Sequence, residues 1–415
     1  MSSRRIVIVN DMSLARGGAT ALAMMATEDF VARGHEVIWL CGDDGDGAEL
    51  RALGVEVVPV GGKQLLELPG RTALTSGLMN TKAREVVSRF IAERDTPDTV
   101  YHTHSWAQIF SPEVFAALKP VSHRTLIHAH DMFVACPNGV YMDYQKGEVC
   151  TRVPLSFDCI TTNCDKRSYA QKVWRVMRQK NLRRHLGDGS EWGGILVLHP
   201  EMTSRLTRAG YREDAIHVVR NPVVPYAKVR IRAEDNRKLV YVGRLEPDKG
   251  TGVLADAARR TGVPTTLVGD GPMRAGLEAD PSGNPTITGW IERSQVGDYV
   301  GDARALVMPS LHPEPFALVI AEAAESGLPV LVADTALMSK EVVENGLGLS
   351  FSPTDPASID AALSRFMAMP DDAVRAMSEK GFSGDIRLGL SRSEWIDAQE
   401  AEYDRVLSAV RASAA

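Results

Sequence analysis

Residues 4–11 read RRIVIVND, an unbroken run of apolar, mostly β-branched residues halted by Asn-Asp. A strand wetted on one face alternates apolar with polar side chains. A continuous apolar run instead suits a strand covered on both faces, the condition inside a parallel sheet. Parallel strands cannot be joined by a tight turn, so a crossover helix must follow. Residues 17–41, GGATALAMMATEDFVARGHEVIWLC, supply it: Ala21, Leu22, Met25 and Phe30 suit a helix, Gly34 suits its C-cap, and HEVIWLC is a second strand. GVEVVPV, DTVYHTHS, HRTLIHAHD and GGILVLHP repeat the theme. Strand, helix and parallel strand in alternation predict a doubly wound α/β sheet.

The pattern then starts again. Residues 220–236, RNPVVPYAKVRIRAEDN, carry prolines and many charges and read as a linker or exposed crossover. KLVYVGRL, TTLVGDG, PTITGW, ARALVMPS and LPVLVAD follow as strands of a second sheet. The expected division is a Rossmann-like domain over 1–221 with a cysteine-containing insertion at 136–164, a linker at 222–236, and a second Rossmann-like domain over 237–390. A terminal helix over 391–415, with Trp395, Ile396, Tyr403, Val406, Leu407 and Val410 at helical spacing, is expected to pack back on the first domain. Two such domains facing each other would leave a cleft near the carboxyl ends of both sheets. The 415 residues agree with two domains, and a net charge of −6 gives no reason to expect a nucleic-acid binder. The first apolar run is only about five residues, shorter than a signal-peptide core, and no stretch approaches the roughly 20 needed to span a membrane. A cytoplasmic protein is expected.

HPEPFALVIAE (312–322) holds Glu314 and Glu322 eight positions apart. Pro315 belongs in the first turn of a helix, which is expected to run to a Gly327 cap. The amides of Phe316, Ala317 and Leu318 would then be unpaired donors at its positive end. At ~1.5 Å rise per residue the glutamates stand about 12 Å apart, wider than the roughly 5–9.5 Å of a glycosidase pair. The spacing suits an extended ligand with a carboxylate at each end and an anion between; it also suits two unrelated surface glutamates. YVGRLEPDKG (241–250) adds Arg244 and Lys249 in a strand-end turn, cations able to neutralise a diphosphate. VGDGP (268–272) ends another strand with Gly269 and Gly271, and TGWIE (288–292) offers main chain beside Trp290 to a base. All lie where the topological rule expects a nucleotide.

Together these motifs resemble the retaining glycosyltransferases of the GT-B fold, in the large family 4 (glycosyltransferase group 1). The resemblance covers nearly the whole chain: ARGGATALA is similar to the family's glycine-rich loop, RGHEV to its second-strand entry and HAHDMFVACP to its His-Asp element. It implies that Glu314 holds sugar hydroxyls and Glu322 the ribose, and that Arg244, Lys249 and amides 316–318 bind the diphosphate. It further implies that His130 points at the transferring sugar and that Gly17 and Gly18 approach phosphate or acceptor. Ala317 stands where the family prefers glycine, and Pro222 likewise. The implied donor is a nucleoside-diphosphate sugar, UDP or GDP most readily, with no cofactor required for catalysis. The implied acceptor is a glycan, a lipid-linked sugar or a small molecule. A silent nucleotide-sugar-binding scaffold and a nucleotide-sugar epimerase on the same fold remain as alternatives. A Rossmann dehydrogenase is disfavoured because DMSLARGGA replaces G-x-G-x-x-G after the first strand.

Two features lie outside this frame. Cys136, Cys150, Cys159 and Cys164 could ligate a structural zinc, although no C-x₂-C pair is present; free thiols or disulfides are the other readings. KRSYAQKVWRVMRQKNLRRHLG (166–187) is basic, with Val173, Val176 and Met177 expected on its apolar face. It reads either as a solvated face or as a peripheral contact with anionic lipid headgroups or a lipid phosphate.

Overall fold

The computed structural model describes residues 3–15 and 17–414. The chain divides into two compact units. One comprises the chain up to Val140, Thr151–Arg220 and Ser393 onward; the other comprises Tyr141–Cys150 and Asn221–Arg392.

The first unit holds β1 (Arg5–Asn10), β2 (Glu36–Cys41), β3 (Glu56–Pro59), β4 (Thr99–Thr103) and β5 (Thr125–Ala129). A short antiparallel hairpin, β6 (Met142–Asp143) and β7 (Glu148–Val149), belongs to the other unit. The first unit then continues with β8 (Gly194–Val197) and β9 (Ile216–Val218). Its sheet runs β3-β2-β1-β4-β5-β8-β9, every neighbouring pair parallel. Ile6, Val7, Ile8 and Val9 have no solvent exposure, as a strand covered on both faces requires. From Ser393 the helix Arg392–Ala414 is part of this unit. Trp395, Ile396 and Tyr403 are fully buried, Tyr403 Oη lies 2.7 Å from His102 Nδ1, and Glu400 takes both Arg33 and His35 at 2.8 Å.

The second unit holds β10 (Leu239–Val242), β11 (Thr265–Val268), β12 (Thr286–Ile287), β13 (Ala305–Met308), β14 (Val330–Ala333) and β15 (Gly348–Phe351). Its order is β12-β11-β10-β13-β14-β15, again all parallel. Residues 222–236 are not a free tether. Tyr226 N and Ile231 N donate to Ser326, and Glu234, 1% exposed, receives both arms of Arg230 and the Nε of Arg375. The Arg230 guanidinium outweighs burial and holds the Glu234 carboxyl down to about 2. The charges that read as solvated are spent on one another.

The basic helix, Tyr169–Leu186, also presents a different face from the one expected. Val176 is buried as expected, but Val173 and Met177 are exposed, whereas Lys172, Arg178, Trp174 and Leu182 are buried. Long cationic stems cover apolar surface as well as valine does, provided their heads find partners. Lys172 Nζ has sulfur atoms beside it, and Arg178 donates to Ala107 O while stacking over Trp106 and Trp174. Among the described residues, no helix is long and apolar enough to cross a membrane.

Candidate active site

In the second sheet the chain leaves β10 toward β11 on one side and leaves β13 toward β14 on the other. Loops at the carboxyl ends of β10 and β13 therefore diverge, opening the crevice where α/β sheets bind ligands. The loop after β10 carries Arg244 and Lys249; the loop after β13 carries Ser310, His312 and Glu314. Lys249 Nζ donates to Glu314 Oε1 at 2.5 Å, with Ser310 Oγ at 3.1 Å and His312 Nε2 at 3.3 Å from the same oxygen. Burial raises the Glu314 carboxyl, but His312 and Lys249 outweigh it and hold the group well below the usual carboxylate range.

The helix that follows is Leu318–Glu325, starting about three residues later than the position of Pro315 suggests. Phe316 turns into a buried position and Ala317 is an extended N-cap, so both lead into the helix instead of forming its first turn. Ile320 N already bonds to Ala317 O, leaving the Leu318 and Val319 amides as the first open donors. A cavity of about 230 Å³ is lined by Tyr241, Arg244, Lys249, Glu314, Phe316 and Ala317, together with Leu318 and Val319. Arg244 is 71% exposed and, among the described residues, pairs with Glu246 at 2.7 Å. Glu322 is buried within the helix, paired with Arg293, and the buried Tyr226 phenol beside it is pushed well above its ordinary value by burial and by that carboxylate.

Three expected contacts take another form. Trp290 is 69% exposed and lies outside the residues lining the cavity. Gly269 and Gly271 are required by the protein itself: a Cβ would lie 1.9 Å from Gly243 O at the first and 2.5 Å from Leu245 O at the second. These glycines let strand-end loops pack backbone against backbone.

In the first unit, His130 follows β5 and joins a four-histidine array. His104 Nδ1 lies 2.9 Å from His130 Nε2, and His102 Nε2 lies 3.2 Å from His128 Nδ1. Burial depresses all four, bringing His130 to about 4, so the array is neutral at ordinary pH. Gly17, at φ 150°, caps the helix Gly18–Ala32; a Cβ on Gly17 or Gly18 would meet nothing within 4 Å, leaving this helix start open to approach. The buried Asp11 carboxylate accepts from the amides of Gln108, Ile109 and Phe110, pinning the loop beyond β4 to the end of β1.

Residues 226–383 match the family model described as Glycosyl transferases group 1. The chain carries a glycosyl transferase group 1 domain. A glycogen synthase of Mycobacterium tuberculosis is 31% identical over 270 residues, 60% of this chain and 62% of that protein. The chain thus spans about three-fifths of the length of that curated relative. Among solved structures, sucrose-phosphate synthase from Thermosynechococcus elongatus matches 98% of this chain and 100% of its own at 18% identity and TM-score 0.71. Anabaena HepE, solved in complex with UDP, matches 96% and 98% at 17% identity and TM-score 0.62. These two likenesses are of fold, and the fold is GT-B.

Within the group 1 domain, sequence reasoning found the charged residues that meet at the cavity but missed those that hold them: Ser310, His312, Tyr226 and Arg293. HTH (102–104) and HAH (128–130) share a period of two, which puts all four imidazoles on one sheet face. No disulfide links the cysteines. Lys172 Nζ lies 3.1 Å from Cys164 Sγ and 3.5 Å from Cys159 Sγ, and Asn138 bridges Cys136 Sγ at 3.1 Å to Cys164 Sγ at 3.7 Å. Cys150 is buried at the end of the β6–β7 hairpin.

Proposed function

We propose that this chain transfers a sugar, with retention at the anomeric carbon, from a nucleoside-diphosphate sugar to a hydroxyl-bearing acceptor. The observation that supports this most is the convergence of Arg244, Lys249, Glu314 and the open amides of Leu318 and Val319 on one cavity. The diphosphate lies on those amides, at the positive end of the helix dipole. Lys249 and the exposed Arg244 take up the charge that grows on the phosphate as the glycosidic C–O bond breaks. Glu314, kept ionised by Lys249 and His312, accepts from sugar hydroxyls, and Glu322 from the ribose. The acceptor oxygen attacks on the face from which the diphosphate departs, and its proton passes to the departing phosphate oxygen. Neutral His130, with Nε2 engaged by His104, contributes a hydrogen bond to the sugar and carries no charge of its own. The catalytic step uses no metal.

Outside catalysis, we propose that Cys136, Cys159 and Cys164 are among the ligands of a structural zinc. An all-thiol donor set around a buried ammonium is the chemistry of a soft cation whose thiolates need a counter-charge.

The test is thermal stabilisation by UDP, GDP, ADP and dTDP, wild type against Arg244→Ala; UDP comes first because HepE was solved with it. A ligand at about 100 Kd stabilises by about 2.7 kcal/mol. One nucleotide that stabilises wild type but not the variant supports the reading. No shift with any of them removes it.

A further inference from the structure

A second cavity, of about 380 Å³, opens within the first unit beside the helix Gly70–Leu78, the helix Tyr169–Leu186 and the turn after His130. Leu66, Leu74, Phe133 and Trp174 form its apolar walls, and Arg167, Arg175 and Arg178 reach into it. None of the described residues that line it carries a carboxylate.

The three cations are unequally satisfied. Arg175 pairs with Asp165 at 2.9 Å. Arg167 is exposed, and its guanidinium has no partner among the described residues. Arg178 is 8% exposed, donates from Nη2 to Ala107 O, stacks over Trp106 and Trp174, and leaves Nε without an acceptor. The carboxylates whose charge reaches it, Asp11 and Asp131, are engaged by amides, three on Asp11 and that of Phe133 on Asp131. A buried guanidinium with an orphan donor calls for an anion. The walls call for something else: Leu66 is 76% and Leu74 48% exposed at the rim, surface that a small polar ligand would leave wet.

One molecule answers both demands. We propose that this cavity is the acceptor site and that the acceptor is a hydroxyl-bearing phosphate or diphosphate ester borne on an apolar chain. Its phosphate lies on Arg167 and Arg178, and the chain lies along Leu66, Leu74, Phe133 and Trp174. The acceptor role rests on the transferase reading above. Phe133 is three residues beyond His130, and its amide donates to Asp131 at 2.8 Å, so the cavity wall and the imidazole belong to one turn.

The test measures binding of dodecyl phosphate, dodecanol and inorganic phosphate to the full chain, each below any micelle concentration, by calorimetry and Trp174 fluorescence. Dodecyl phosphate should bind at least about tenfold tighter than either of the others, since each lacks half of the recognised chemistry. Arg167→Glu and Leu74→Glu, both at exposed side chains, should each weaken it about tenfold while leaving stabilisation by UDP intact. Equal affinity for dodecanol would reduce the site to an apolar pocket, and equal affinity for phosphate would reduce it to an anion site; either overturns the proposal. So does indifference to both substitutions. Selective binding of dodecyl phosphate by a chain that no nucleotide stabilises would keep the cavity and remove the transferase reading, so the two failures are separable.

Discussion

Replacing Lys249 by methionine keeps the stem of the side chain and removes its charge. Lys249 is 25% and Glu314 14% exposed, so the pair is only partly screened. Glu314 is not orphaned by the change, because Ser310 at 3.1 Å and His312 at 3.3 Å remain. The stability cost should therefore fall low in the range for a lost polar partner, about 1–2 kcal/mol. For a unit of this size that lowers Tm by roughly 2–8 °C. The effect on transfer should be larger, about 10²–10³ in kcat, since a charge aimed at the leaving group matters most as that group departs. Acidification gives a second readout. The folded pKa of Glu314 lies below its unfolded value, so its stabilisation is complete above the unfolded pKa of about 4.3 and is lost as pH falls toward the folded one. Lys249→Met raises the folded value, so the variant loses its smaller contribution over a shorter range and the gap to wild type narrows in acid. Scanning calorimetry at several pH values and steady-state transfer with the nucleotide sugar chosen by the stabilisation screen measure both effects. A variant with undiminished kcat, or one no more affected than the exposed control Lys340→Met, would refute the assignment.

Other outcomes follow from the same geometry. With His130 held near 4 by burial, kcat/KM should show no ionisation of His130 between pH 6 and 8; an inflection near 6.5 that disappears in His130→Ala would contradict this. Gly269→Ala should destabilise the second unit by about 1–3 kcal/mol through its clash with Gly243 O, seen as a lower denaturation midpoint without ligand. The purified chain should hold one zinc by elemental analysis and lose it in Cys164→Ser. A metal-free wild type with all its thiols freely titratable after denaturation would remove that assignment.

The sequence was most legible where one physical constraint dominates. Unbroken apolar runs could serve only as strands covered on both faces, and both sheets carry them. The charged residues of the second site were also visible, because two cations and a carboxylate at strand ends have few structural reasons to recur together. Legibility failed where side chains satisfy one another over long separations. Glu234 lies in a stretch that reads as an exposed crossover, because its partner Arg375 stands 141 residues further along the chain. Lys172 and Arg178 lie on a helix that reads as a basic face for a different reason: sulfur atoms and aromatic faces are partners that a helical-wheel argument does not count. Gly269 and Gly271 stood out as ligand contacts, yet a neighbouring loop already explains them.

The last helix has a consequence for the order in which the protein can be made. Residues from Ser393 onward complete the first unit, where Tyr403 covers His102 and Glu400 secures Arg33 and His35. They emerge from the ribosome only after Asn221–Arg392, a delay of roughly 10–35 s at about 5–20 residues per second. The amino-terminal sheet must wait through that interval with one flank of its core uncovered. A nascent chain stalled before residue 393 would hold a finished second unit and an unfinished first one, so the half of the molecule made first is the half sealed last.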